Sequence, residues 1–271
     1  MIINKDDNFD NGRPFDWGLA SAEYAKYRNE YPELMWKNIL AELPREEGRQ
    51  IKLLDLGTGT GIVARRMKQR RASLDITALD PEPEQIKAAE RMCLEEGIEG
   101  IGFRVLRSEQ LGCFADGSFD AATACQCFFY FDHEKTAPEL ARVMRPGAKL
   151  IILFFAWLPG ESEIAAASER LVLKYNPQWT GHGFTAHGIE GIPEVYDRYF
   201  TVESNGYEIC PVTFTREGWN GRICACRAIL PSLPAERCAG FSREHTAMLE
   251  NMAGESFDIP HSLAMAVLRR L

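Results

Sequence analysis

The chain has 271 residues, enough to bury a full core as one large domain or as one domain with an appended cap. Hydrophobic residues make up 45% and charged residues 26%, ordinary proportions for a globular protein, and the net charge of -8 does not suggest a nucleic-acid partner. The longest apolar run, Leu150 to Leu158, falls far short of the roughly 20 residues that a membrane helix needs. The eight cysteines form no disulfide-like framework and no signal-peptide pattern opens the chain, so a cytoplasmic location without a membrane partner is expected.

Residues 1 to 20 read as a polar, loose arm. From Ser21 to Leu43 the apolar positions take helical spacing, interrupted at Pro32, which predicts two helices flanking Tyr31-Pro32. Ile51 to Leu56 is a short apolar run of the kind buried on both faces of a parallel sheet. Gly57, Gly59 and Gly61 then alternate with Thr58 and Thr60 before a helix that opens at Ile62. Glycines at such a junction permit a sharp turn and let a ligand lie directly on the backbone. A strand, a glycine turn and a helix form the first nucleoside-binding unit of a doubly wound α/β fold. The dinucleotide fingerprint needs a small residue where this chain has Ile62, so an NAD(P)-dependent oxidoreductase is the weaker reading.

Leu74 to Leu79 is a second strand, ending in Asp80. That acid stands at the distance from the glycine turn at which a carboxylate accepts hydrogen bonds from ribose hydroxyls. The competing role is capping of the helix read from Pro81 to Glu95. Phe103 to Leu106, Ala121 to Cys125 and Leu150 to Ala156 are three further strands. Beyond them, Glu161 to Tyr175 reads as helix and Asn176 to Glu194 as a long irregular segment. Thr201 to Ile209 and Arg222 to Leu230 read as strands, and Arg243 to Ala253 as a last helix. Cys125/Cys127 and Cys224/Cys226 are each spaced to share a strand face. Buried cysteine is commoner than a thiol metal site, and the five histidines show no metal spacing, so no metal is expected.

The pattern D-x-G-x-G-x-G from Asp55 to Gly61 resembles motif I of class I S-adenosylmethionine-dependent methyltransferases. The resemblance extends along the chain. Ser108-Glu109-Gln110-Leu111 with Ala115 to Asp120 is similar to that family's "AEQLP…DGSFD" segment. Gln126 to Asp132 is similar to "Q-x-F-H-W-F-D", with Phe129 and Tyr130 replacing His and Trp. Glu139 to Gly147 is similar to "E-x-x-R-V-L-x-P-G". The match covers residues 24 to 157 and lies nearest the small-molecule type, the ubiquinone/menaquinone C-methylase-like and trans-aconitate methyltransferase-like groups.

The resemblance implies a Rossmann-like, doubly wound, mostly parallel seven-stranded sheet with helices on both faces. Residues 1-45 would be an arm and helical cover. Residues 46-271 would form the methyltransferase domain, with a lid-like insertion at about 159-200. S-adenosylmethionine would be the cofactor, lined at its methionine and ribose end by Asp55, Gly57, Thr58, Gly59 and Gly61. Asp80 would hold the ribose and Pro81 flank the adenine. Arg107 and Ser108 stand where many relatives carry an aspartate for the adenine edge; Ser108 and Glu109 would meet that edge, and Gln126 would lie near the methionine moiety. Tyr27, in the Tyr27-to-Pro32 element, would close over the cofactor, unless that element only covers a sheet edge. The expected reaction is in-line methyl transfer to a small-molecule acceptor by a monomer or homodimer. His182, His187 and Tyr130 are candidates for a proton-accepting role. Asn176 to Glu194 would either wall the acceptor pocket, with Tyr27, Phe129 and Tyr130, or pack away from it. A non-catalytic cofactor-binding regulatory protein is the alternative from a different class.

Overall fold

The computed structural model describes residues 2–3, 15–16, 26–27, 31–45 and 48–271. The expected arm and the helix before Tyr31 therefore lie largely outside the described residues. What is described there is the antiparallel pair β1 (Ile2–Ile3) and β2 (Phe15–Asp16), and a helical Lys26-Tyr27.

The remaining elements form two compact units. One contains Tyr31–Phe155, His187–Glu208 and Leu263–Leu271, and holds the glycine turn. Helix α1 (Glu33–Glu42) follows Pro32 and buries Met35, Trp36 and Ile39, so it belongs with the strands rather than with the first thirty residues. Then come β3 (Ile51–Leu56), α2 (Ile62–Arg70), β4 (Leu74–Asp80), α3 (Pro83–Glu96), β5 (Ile101–Val105), β6 (Phe119–Cys125), α4 (His133–Val143) and β7 (Met144–Trp157). β3 pairs parallel with both β4 and β6, β4 with β5, and β6 with β7. With β8 (Phe200–Thr215) and β9 (Ser256–Arg270) the sheet order is β5-β4-β3-β6-β7-β9-β8. The order reverses between β3 and β6, and in open α/β sheets the ligand crevice lies outside the carboxyl ends of the strands at that point. Leu54, Leu56, Ala122, Ala124 and Ile152 form the centre of a buried cluster, as strands covered on both faces require.

Two expectations for the later part of the chain are corrected. Arg222 to Leu230 is not a strand. Helix α6 (Arg216–Cys224) occupies its start, capped by Thr215, whose Oγ1 accepts from Gly218 N at 3.0 Å, and turns follow. Cys224 and Cys226 consequently share no strand face. The strand is instead β9, in a stretch rich in Ala, Met and Leu that carries helical propensity; pairing within the sheet overrides that weak preference. The final helix, α7 (Ala235–Met252), begins just after Pro234, earlier than its periodicity suggested. Asn176 to Pro193 is irregular, as expected.

The other unit comprises Met1–Glu30, Ala156–Ala186 and Ile209–Ser262. Helix α5 (Glu163–Tyr175) packs on α7 around a polar chain with no exposed member at its centre. Trp219 Nε1 donates to Ser168 Oγ at 2.9 Å, Ser168 meets His245 Nε2 at 2.9 Å, and His245 Nδ1 meets Asn220 Oδ1 at 2.9 Å. A neutral ring satisfies both of its own contacts when Nδ1–H donates to Asn220 and Ser168 donates to Nε2, at the cost of the Ser168 bond to Ile164 O at 2.8 Å. Tyr27 lies against Gly221, where its ring leaves no room for a Cβ, and its hydroxyl donates to Glu217 Oε1 at 3.1 Å. Among the described residues no helix is long and apolar enough to cross a membrane.

Burial pushes the His245 imidazole down to about 4. An unfolded histidine titrates near ~6.5, so below that pH the unfolded chain takes up a proton that the folded chain refuses. The stabilisation from this group is complete above about pH 6.5 and disappears as the pH falls to about 4, a loss of up to roughly 3 kcal/mol. Denaturant unfolding at pH 7.5 and pH 4.5 is expected to show an acid-dependent loss about 2 kcal/mol smaller in His245→Phe than in the parent. Equal losses would refute a buried neutral ring.

Candidate functional site

The site begins at the carboxyl end of β3. Asp55 is 1% exposed and lies opposite Thr123 of β6 in the strand register. Its Oδ1 accepts from Thr123 Oγ1 at 2.7 Å and its Oδ2 from Thr58 Oγ1 at 2.5 Å. Burial raises this carboxyl to about 6, against the lowering effect of the two hydroxyls. Thr58 N donates to Leu79 O at 2.8 Å, so the turn after β3 is also sewn to the neighbouring strand.

The turn fits only where glycine stands. Gly57 has a φ of +57°, and a Cβ there would lie 2.6 Å from the Cys127 Cβ. Cys127 itself donates from Sγ to Leu56 O at 3.1 Å, and burial pushes its thiol well above the usual range. At Gly61, φ +76°, a Cβ would meet Ala89 at 3.0 Å, so the third glycine seats α2 and α3 closely together. Gly61 is also the N-cap of α2 and has no side chain to offer its first turn, whose Ala64 N–H is met instead by the Asp55 carboxylate.

Asp80 ends β4 with both oxygens on backbone donors: Gly59 N to Oδ2 and Glu82 N to Oδ1, each at 2.9 Å. Asp80 is not the cap of α3: that helix starts at Pro83 with Glu82 as its N-cap and no side-chain cap bond, so the Glu82 bond turns the chain ahead of the helix while the Gly59 bond joins the acid to the glycine turn. Each carboxylate oxygen has a second lone pair, so two vicinal hydroxyls remain acceptable partners. Burial raises this carboxyl too, to about 6. Across the crevice edge, Gln126 follows β6 with a φ of +62°, the one non-glycine residue with positive φ among those described. It is held there by its own N–H on Leu153 O at 2.9 Å and by its side-chain amide on Phe155 O. Such strain persists only where surrounding structure over-determines it.

Ser108 Oγ lies 3.2 Å from Glu109 Oε2 and 3.1 Å from Thr136 Oγ1. Asp55, Gly57, Thr58, Gly59, Gly61, Asp80, Pro81, Ser108, Glu109 and Gln126 all belong to the sheet unit, at or just beyond the carboxyl ends of β3 to β6. Tyr130 also lies there, its N–H on Cys127 O at 2.9 Å. His187 is in this unit, with Nδ1 2.6 Å from Gly188 O. Tyr27 and the exposed His182 belong to the other unit. Sequence reasoning missed Thr123 and Cys127 as parts of the site. Thr123 is detectable only through the strand register, and Cys127, expected to share a strand face with Cys125, lies beyond β6, which ends at Cys125. Among the described residues no group of three His, Cys, Asp or Glu side chains is placed to hold a metal ion.

Residues 54–152 match the model of a methyltransferase domain family. A demethylmenaquinone methyltransferase of Thermus thermophilus is 35% identical over 125 residues, which are 45% of this chain and 55% of that protein. The chain spans about half the length of the curated relatives it matches. Among solved structures, a protein of Anaeromyxobacter dehalogenans assigned to the type II methyltransferases aligns over 89% of this chain and 97% of its own, with a TM-score of 0.63 at 18% identity. A Haemonchus contortus phosphoethanolamine N-methyltransferase, solved with S-adenosylhomocysteine, aligns over 94% of this chain and 57% of its own, with a TM-score of 0.53 at 17% identity. At these identities the two structures bear on the fold, which is the one described above.

The Gly57 contact gives a direct test of the turn. Gly57→Ala combines a disfavoured φ with overpacking against Cys127 and is expected to cost about 2–4 kcal/mol. Gly147→Ala, at φ +79° with nothing within 4 Å of its Cβ, is expected to cost only about 1 kcal/mol. Denaturant midpoints for the two variants check the difference; similar values would remove the Cys127 contact as the cause.

Proposed function

We propose, from the premise that this chain carries a class I S-adenosylmethionine-dependent methyltransferase domain, that it transfers a methyl group to a small-molecule acceptor. The observation that carries the proposal is the glycine turn hydrogen-bonded to Asp80 at the start of α2. S-adenosylmethionine fits this cradle: Gly59 leaves the backbone open, and Asp80 retains lone pairs for a diol.

When bound, the cofactor supplies an activated methyl group with a good thioether leaving group. An acceptor lone pair would take that methyl group by in-line displacement. The chain's part is alignment and exclusion of water. Gly57, Thr58, Gly59 and Gly61 would present backbone to the cofactor, Asp80 would hold the ribose, Pro81 would flank the adenine, and Ser108 with Glu109 would meet its edge. Gln126, fixed in its strained conformation, would position the methionine end. Asp55, with both oxygens taken by threonines, would act by shaping the turn. His182, His187 and Tyr130 are the proposed proton acceptors, needed only where the acceptor atom carries a proton. Tyr27 and the segment Asn176 to Glu194 are the proposed acceptor-side cover. Two ties on that segment support an ordered role: Gly183 N on Glu169 Oε2 at 2.8 Å, and Ile189 N on Asn205 Oδ1 at 2.7 Å. A cytoplasmic monomer or homodimer completes the reading.

Calorimetric titration tests it. Saturable binding of S-adenosylhomocysteine is expected, and binding of NAD alone would overturn the proposal. Asp80→Ala, folded, is expected to lose about 2–4 kcal/mol of that affinity, ~30- to 1000-fold. Because burial places the Asp80 carboxyl near 6, the accepting carboxylate dominates above that pH, so affinity is expected to fall as the pH drops through about 6. An affinity flat between pH 7.5 and pH 5 would remove Asp80 from ribose binding. Turnover with a panel of acceptors separates an enzyme from a regulatory binding protein.

A further inference from the structure

Helix α3 carries a buried polar group that the fold leaves unused. Gln85, in its first turn, is 7% exposed, on the same face as the buried Ile86, Ala89 and Cys93. A Met or Leu would satisfy packing at such a position, and burying an amide without a partner is costly. Yet the Gln85 side-chain carbonyl has no hydrogen-bond donor. It faces the glycine turn: a Cβ on Gly59 would lie 4.0 Å from Gln85 Oε1. The N–H of the same Gly59 donates to Asp80 Oδ2 at 2.9 Å. Gln85 and Asp80 therefore converge on one residue of the cradle, one with an unsatisfied acceptor and the other with acceptors to spare.

We propose that Gln85 is a second reader of the nucleoside's ribose, accepting from one of its two vicinal hydroxyls while Asp80 accepts from the other. This assignment rests on the cofactor reading given above. Both Asp80 oxygens already accept from a backbone N–H, and a further acceptor beside Gly59 gives each hydroxyl proton a partner without crowding two hydroxyls onto one carboxylate. The terminal torsion of a glutamine side chain is soft, so its carbonyl can turn from Gly59 toward a hydroxyl seated beside Asp80 without moving the helix. Among the described residues the other buried side-chain atoms without partners belong to Arg65, Ser262 and Arg270, outside the residues that form this turn. A buried acceptor kept unpaired in the free protein and paired in the complex is a specificity device: it penalises a sugar that lacks the hydroxyl.

The experiment compares the full chain with Gln85→Met, which keeps side-chain length and removes the acceptor. S-adenosylhomocysteine is expected to bind the variant about 3- to 10-fold more weakly. An analogue lacking one ribose hydroxyl, 2′-deoxy or 3′-deoxy, is expected to bind both proteins alike, because the lost bond is already absent. The thermal midpoint of the free variant is expected to equal or exceed that of the parent, since an orphaned polar group has gone. A merely structural glutamine predicts the reverse: a lowered midpoint and the same loss for every analogue. Either that pattern or unchanged affinity in the folded variant would overturn the proposal, as would a free protein destabilised by both Gln85→Met and Gln85→Leu. If the parent itself fails to bind S-adenosylhomocysteine, the cofactor reading falls; if the parent binds and Gln85→Met binds equally well, only the role of Gln85 falls.

Discussion

The Asp55 carboxylate is the constraint on which the cradle depends. A buried carboxyl without donors would be untenable, and here Thr58 and Thr123 supply one hydroxyl to each oxygen. Those two bonds tie three things together: the end of β3, the turn that follows it, and the neighbouring strand β6. The turn cannot drift from the sheet without orphaning a buried acceptor. Its path is then narrowed from the other side by Cys127, which occupies the space any side chain on Gly57 would need. Conformation and packing reinforce each other at that residue, as they do where β6 delivers Gln126 into a strained backbone angle.

Two buried aspartates stand within this small volume, both raised to about 6 by desolvation, yet they are spent differently. Asp55 is engaged by side chains of its own unit and holds the turn in place. Asp80 is engaged by backbone N–H groups of Gly59 and Glu82, which orient it while leaving lone pairs available. Placing the structural acid behind the turn and the receptive acid beside it keeps rigidity and recognition on separate residues. The same economy extends to Gln85, whose acceptor is unsatisfied within the protein.

The other unit solves a different problem. Its helices meet around a neutral hydrogen-bonded chain through Trp219, Ser168, His245 and Asn220, which specifies their packing more narrowly than apolar contact alone. Glu169, buried on α5, accepts from Trp157 Nε1 at 2.7 Å and from Gly183 N at 2.8 Å, so it ties the start of the irregular segment to a helix. Such a tether limits how far Asn176 to Ala186 can be reshaped by sequence change, although the segment lacks regular structure.

The first five strands of the main sheet, the glycine turn and Asp80 were legible in the sequence because each has a local cause. Apolar runs sized for buried strands, glycines where backbone must turn left, and an acid at a strand end need no distant partner to be recognised. The latter part of the chain was legible only in pieces. Residues Ser256 to Arg270 carry helical propensity and become β9 because the sheet offers ladder hydrogen bonds that a helix would forgo. Arg222 to Leu230 reads as a strand and begins in a helix because Thr215 caps it from upstream. Thr123, Cys127 and Gln85 gain meaning only when β6 and α3 lie beside the turn, since a hydroxyl, a thiol or an amide acquires its role from what it faces. Sequence by itself thus determined which backbone bends and which acid follows it, both local consequences of residue type. Tertiary structure alone decided which side chains brace that bend, because bracing joins residues that lie far apart in the chain.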